Sequence, residues 1–199
     1  MDSKQQTIDT YNKSAQTLTN KFNDLGGYSE DIKNTFSLVG IENPNTLEIG
    51  CGNGRDAEEI LKYTKNYLGI DISKELIKIA RERNTGAVFE VADIENYTFQ
   101  NNLDVIFAFA SLIHVPIESL RKIMDLAYNK LNNSGVFFAT MKYNDNYIES
   151  TKEDEFGIRT YYLYSEDDIK KIVRRFKILK CDKYELRGQK WIKVLLQKI

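Results

Sequence analysis

The run Leu47-Glu48-Ile49-Gly50-Cys51-Gly52-Asn53-Gly54-Arg55-Asp56 constrains the fold of this 199-residue chain more than any other stretch. A short apolar segment of strand length breaks into three glycines at alternate positions, and a helical pattern follows. Glycine admits backbone turns that a side chain forbids, and it lets a ligand lie against bare peptide. The next helix presents unpaired N–H groups and the positive end of its dipole to the same loop. A strand, a bare loop and a helix N-terminus together make a corner suited to a small molecule.

The rest of the chain repeats this rhythm. Before the corner, Ile8, Tyr11, Ala15, Leu18, Phe22 and Leu25 recur at steps of three and four, which predicts one amphipathic helix ending at Gly26-Gly27. Such a helix either packs on the core or caps a cleft with Tyr11 pointing in. A short helix over 30–38 and a turn at Asn43-Pro44-Asn45 lead to a strand over 46–50. Then come a helix over 55–63, a buried strand over 66–71 and a helix capped by Ser73. Strands over 87–91 and 103–110 follow. Pro116 suits the first turn of a helix that buries Ile117, Leu120, Ile123, Met124, Ala127 and Leu131, and 135–141 reads as the next strand. Strands alternating with helices imply an α/β fold, a doubly wound parallel sheet with helices on both faces.

The end departs from that pattern. Residues 144–157 are polar with little periodicity and read as an excursion over the sheet edge. Ser165 and Asp168 form a possible capping box for a helix. The last two strand candidates, 177–185 and 191–199, are joined too closely for a crossover helix, so they should pair antiparallel.

Composition narrows the class. With 42% hydrophobic residues, 29% charged and a net charge of −1, the chain is globular and has no global basic field for nucleic acid. Its two cysteines lack metal-ligand spacing, so no metal is expected. The first 20 residues contain no apolar run resembling a signal peptide or membrane span. The expectation is one soluble, cytoplasmic domain, a monomer or homodimer, with no membrane or nucleic-acid partner.

Glycine-rich strand-to-helix turns serve NAD, FAD, nucleotides and S-adenosylmethionine alike. Here the spacing Gly50-x-Gly52-x-Gly54 lacks the third glycine of the dinucleotide fingerprint, and no P-loop motif is present. Glu48 would repel a pyrophosphate yet bind an amino group, directly or through water. Asp71, ending the second strand, can accept both hydroxyls of a ribose. Asp93, after the third, can accept an exocyclic amine such as that of adenine.

These residues resemble the class I, Rossmann-like S-adenosylmethionine-dependent methyltransferases. Residues 47–54 are similar to the family's first motif. Tyr67-Leu68-Gly69-Ile70-Asp71-Ile72-Ser73 resembles the ribose motif, and Ala92-Asp93-Ile94 the adenine motif. The stretch 103–116, with Ser111-Leu112-Ile113-His114-Val115-Pro116, resembles the fourth-strand motif. Asn132-Asn133-Ser134-Gly135 departs from the family's Lys-Pro-Gly-Gly-like turn. The resemblance implies a seven-stranded, mostly parallel sheet with an antiparallel last strand. It divides the single domain into a helical cap (1–40), a cofactor-binding core (46–142), a substrate-side excursion (143–164) and a C-terminal helix with its strand pair (165–199).

By position, the resemblance implies that Gly50, Cys51 and Gly52, with Asn53 and Gly54 of the same loop, hold the methionine part of S-adenosylmethionine. Asp71 would hold the ribose, Ile72 and Ile94 flank the adenine, and Asp93 take its amine. Ala110 and Ser111 would floor the site near the methyl group. Arg55 either meets the cofactor carboxylate or is a surface helix charge. Methyl transfer needs an in-line approach, and a base only when the acceptor must lose a proton. His114, the sole histidine, either takes that proton or walls the pocket. Lys142 and Arg159 could meet an anionic acceptor, with Tyr143 and Tyr161 as aromatic walls. A small-molecule acceptor is expected, because the chain has no added recognition domain. Protein or tRNA acceptors, a non-catalytic binding module and an NAD-dependent oxidoreductase are the rivals.

Overall fold

The computed structural model describes residues 2–199. Three helices precede the first strand: α1 (Ser3–Lys13), α2 (Ala15–Leu25) and α3 (Ser29–Val39). The single helix expected over 8–25 is therefore two. Its periodicity continues through Ser14, but there the backbone leaves helical geometry, and the Ser14 hydroxyl donates to the Phe156 carbonyl 142 residues away. A tertiary contact has overridden the local pattern.

The chain then builds β1 (Thr46–Ile49), α4 (Ala57–Ile60), β2 (Tyr67–Asp71), α5 (Lys74–Arg83), β3 (Val88–Val91) and β4 (Leu103–Phe109). The helix expected over 55–63 shrinks to the one turn of α4. A 3₁₀ turn (Leu112–His114) leads into α6 (Ile117–Lys130), with Pro116 at its N-cap. β5 (Leu131–Lys142) starts four residues earlier than the apolar run suggested. The polar excursion is a hairpin, β6 (Ile148–Asp154) against β7 (Gly157–Leu163), forming its own two-stranded sheet. After α7 (Glu166–Ile172), which carries the expected Ser165–Asp168 capping box, come β8 (Lys177–Leu186) and β9 (Gln189–Gln197).

The main sheet runs β3-β2-β1-β4-β5-β9-β8. β9 is inserted antiparallel between β5 and β8, and the other six strands point one way. Two buried layers result. Ile32 and Phe36 of α3, Ile60 of α4 and Ile77 of α5 pack on one face, against Phe107 and Phe138. Leu120, Ile123 and Met124 of α6 and Ile169 of α7 pack on the other, against Ile106, Phe137 and Val194. Strand order reverses between β1 and β4, and at such a switch point the helices diverge and leave a crevice at the strands' C-terminal ends. α1 and the β6–β7 hairpin close over that crevice. Thr10 donates to the Ile158 carbonyl at 2.7 Å, and the Thr160 N–H donates to Thr7 at 3.0 Å. No helix among the described residues is long and apolar enough to cross a membrane.

Candidate functional site

The crevice is a cavity of about 960 Å³, at the upper end of what small-molecule sites enclose. Its floor is the loop after β1, and two of its glycines serve different needs. Gly50 has φ 69°, and a Cβ there would lie 2.9 Å from Ser111 Oγ and closer still to Ser111 Cβ. Ser111 is held against it by donating to the Ile49 carbonyl at 2.6 Å. Gly52 has φ 54°, and a Cβ there would meet nothing within 4 Å. Its bare backbone faces the cavity. Gly54 lies below, outside the lining, where a Cβ would come within 3.1 Å of Ala80 in α5.

Asp71 organises this loop. One carboxylate oxygen accepts the Gly52 N–H at 2.9 Å and the other the Ser73 N–H at 2.8 Å. Burial raises its pKa, and those backbone bonds oppose the rise. Each carboxylate oxygen has two lone pairs, so the side chain can still accept from a diol. Ile72 and Ile94 line the cavity beside it. Asp93 lines it too, already ion-paired to Lys4 of α1 at 2.7 Å. Lys4 also bridges to Glu95 at 2.7 Å, tying α1 to this wall. Sequence reasoning missed Lys4, since nothing local marks a lysine whose partners lie some 90 residues on.

Arg55 is no surface charge. It donates to the Phe22 carbonyl at 2.8 Å and pairs with Asp56 at 2.6 Å, in the cavity wall over the Tyr28 ring. Asn53 is buried beside it and bonds Asn23. Burial pushes the Cys51 thiol up, so it stays protonated. Ala110 closes the floor with φ 51°, a strained value for a residue with a Cβ. Thr140 holds it there, its hydroxyl accepting the Ala110 N–H at 2.9 Å.

Three expected site residues are not brought to the cavity. Glu48 alternates with Leu47 and Ile49 along β1, so its side chain points into the layer beneath the loop. There it is 1% exposed and accepts the Tyr67 hydroxyl at 2.5 Å. Gly69 makes the room, because a Cβ there would lie 2.5 Å from that hydroxyl. Burial first, then the Asp56 charge, push the Glu48 pKa up to about 8, so at neutral pH it is no counter-ion for an amino group. Gly54 packs on α5, as above. Tyr143 packs against the core layer outside the cavity, donating to Asp145 at 2.6 Å beneath Lys183.

At the far end of the cavity lie Tyr11, His114, Lys142, Arg159 and Tyr161. The His114 Nδ1 is 2.6 Å from the Thr160 carbonyl, which can only accept, so Nδ1 carries the proton. Nε2 therefore accepts from the Tyr11 hydroxyl at 2.8 Å. Burial lowers the His114 pKa to about 4, which keeps the ring neutral with both nitrogens engaged. The expectation of a free imidazole base does not match this arrangement. The Lys142 ammonium sits 3.7 Å from the centre of the Tyr161 ring. Trp191 and Tyr184, stacked on β9 and β8, add an aromatic wall that the sequence reading did not include. Its one available signal was that Trp191 is the chain's only tryptophan. Among the described residues, no group of three or more His, Cys, Asp or Glu side chains is placed to hold a metal ion.

A family model described as a methyltransferase domain matches residues 46–135. The chain is 31% identical over 153 residues to a phosphoethanolamine N-methyltransferase of Plasmodium falciparum, covering 70% of this chain and 58% of that one. It is 28% identical over 189 residues to a malonyl-[acyl-carrier protein] O-methyltransferase of Ilyobacter polytropus, covering 89% and 69%. The chain thus spans under two thirds of the first relative's length. Among solved structures, an S-adenosylmethionine-dependent methyltransferase from Clostridium acetobutylicum superposes with TM-score 0.71 at 18% identity, covering 86% and 90% of the two chains. Magnesium protoporphyrin IX methyltransferase from Synechocystis, solved with bound S-adenosylmethionine, gives 0.74 at 15% identity, covering 100% and 98%. At such identities these two matches speak for the fold.

Proposed function

We propose that this chain, which belongs to the class I, Rossmann-like S-adenosylmethionine-dependent methyltransferases, transfers a methyl group to a small-molecule acceptor held at the far end of its cavity. The observation that carries the reading is Gly52, whose bare backbone faces the cavity while its N–H is held by Asp71 at the β2 end. A ribose laid against Asp71 brings the rest of a nucleoside between Ile72 and Ile94, where apolar side chains suit a purine. The loop 50–53 is left for the amino-acid part, with the Arg55 guanidinium beside it. Bound there, S-adenosylmethionine supplies the methyl group.

The chain's own residues do the positioning. Ala110 and Ser111 set the floor between donor and acceptor, held by Thr140 and the Ile49 carbonyl. Holding two reactants in line can lower a barrier by roughly 7–11 kcal/mol, so positioning is a substantial contribution to such a reaction. Tyr11 and His114 couple α1 to the turn after β4 and so close the site over its contents. His114 then acts as a positioning residue rather than a free base. A small acceptor is supported by the enclosure that α1 and the hairpin provide, and by a relative named for phosphoethanolamine.

Incubation with labelled S-adenosylmethionine and a metabolite extract tests this. A labelled small product is expected from the wild type and not from Asp71→Ala. Label on protein or tRNA would replace the acceptor class. Binding without labelled product across broad extracts would instead favour a non-catalytic module.

A further inference from the structure

We propose that the methyl acceptor carries an anionic group, a carboxylate or a phosphate, and that Arg159 and Lys142 seat it. This rests on the methyltransferase reading and adds to it the chemical class of the acceptor. Arg159 is 7% exposed, yet its Nε has no hydrogen-bond partner among the described residues. Its one ion pair, through Nη2, goes to the half-exposed Asp154 at the rim of the same cavity. A guanidinium offers a planar fork of donors that matches two oxygens of a carboxylate or phosphate. A buried donor left unpaired forfeits its hydration for nothing, and native structures rarely tolerate that. In a cavity wall, such a donor marks where a ligand completes the bonding.

Lys142 supplies the second observation. It ends β5 with its ammonium against the Tyr161 ring, and the Arg159 guanidinium lies over the same ring at 5.6 Å. The Lys142 ammonium meets the Tyr161 ring, and no ion pair or side-chain hydrogen bond engages it among the described residues. Burial, with the Lys152 and Arg159 charges, lowers its pKa to about 8, and Asp154 opposes them. Three cations thus crowd one end of the cavity, and the carboxylate nearest them, Asp154, is already engaged. A bound anion relieves that repulsion and fills the Arg159 fork. Trp191 faces Lys142 across the β5–β9 ladder and also lines the cavity, so an apolar or aromatic body can lie beside the anion.

The test uses protein saturated with S-adenosylhomocysteine, in a buffer free of phosphate and carboxylate. Phenyl phosphate, benzoate and uncharged benzyl alcohol are titrated while the fluorescence of Trp191, the only tryptophan, is read. One of the anions should saturate at a concentration at least about tenfold below benzyl alcohol, and the tighter one tells phosphate from carboxylate. Arg159→Gln and Lys142→Gln should each weaken that anion about tenfold and leave S-adenosylhomocysteine affinity within about twofold. If Arg159→Gln does not fold, Arg159→Lys keeps the charge without the fork and should show a smaller loss. Equal binding of benzyl alcohol, no saturable binding of any probe at millimolar concentration, or unchanged anion affinity in the variants overturns the proposal. Parallel loss of S-adenosylhomocysteine also overturns it, because the cations would then serve the cofactor's own carboxylate. Wild-type protein that binds no S-adenosylhomocysteine at all would sink the methyltransferase reading instead.

Discussion

Alanine at Gly50 and at Gly52 should separate folding from binding within one loop. Both glycines have positive φ, so each substitution carries about 1–2 kcal/mol of left-handed strain. At Gly52 nothing else is met, and in a chain of this length that strain lowers Tm by roughly 2–8 °C. At Gly50 the new methyl also drives into Ser111, and overpacking of that kind adds about 1–3 kcal/mol. The Ser111 bond to Ile49 strains as well, so Gly50→Ala loses about 2–5 kcal/mol in all. Binding should rank the other way once stability is accounted for. The Gly52 methyl projects into the space assigned to the ligand, and at least about a tenfold loss of S-adenosylhomocysteine affinity is expected. Thermal melts with and without ligand read both effects. At 100 times the wild-type Kd, ligand stabilises the wild type by about 2.7 kcal/mol and a tenfold weaker variant by about 1.4 kcal/mol. A Gly52→Ala protein with the full ligand-induced shift would refute the claim that bare peptide contacts the cofactor.

Other consequences follow from the buried groups. Glu48 keeps its proton up to about pH 8 in the fold, against an ordinary value of 4.5, so the folded state binds the extra proton and loses stability as pH rises through that window. Glu48→Gln should therefore gain on the wild type in Tm between about pH 5 and pH 8, and parallel curves would contradict this. His114 shifts the other way for a base, from 6.5 to about 4, so its contribution is complete above 6.5 and is lost as pH falls towards 4. The ring signals of this single histidine should stay constant from about pH 8 to pH 5.5, whereas a titration centred near 6.5 would dismantle the Tyr11–His114–Thr160 chain. Tyr11→Phe leaves a buried imidazole nitrogen unpaired, which costs about 1–3 kcal/mol. Hydrogen exchange should accelerate in α1 more than in α5, and uniform acceleration would argue against a latch.

The core of the fold was legible because its signals are local. β1, β2 and β4 are short runs buried on both faces, Ser73 caps α5 through the Leu76 N–H, and the close spacing of β8 and β9 leaves only antiparallel pairing. β6 was not legible. Nearly all its residues are exposed, so no alternation betrays it, and its order comes from pairing with β7 and the contacts of that strand to α1. Glu48 shows the same limit within the site. Its place in the motif suggested a ligand contact, but strand alternation and the gap left by Gly69 send it inward to Tyr67. Asp71 could be read from its place at the end of the second strand, whereas Ile72 and Ile94 beside it came only with the family resemblance. The partnership of Tyr11 with His114 could not be read, since 103 residues separate them and neither carries a motif that names the other.

A crystal structure of the protein with S-adenosylhomocysteine tests the central claim most directly. The account predicts its ribose hydroxyls on Asp71, its adenine between Ile72 and Ile94, and its sulfur beside Gly52 and Ala110, facing the end of the cavity walled by Lys142, Arg159 and Tyr161. A ligand seated elsewhere, or its displacement from the loop by NADH at equal concentration, would contradict it.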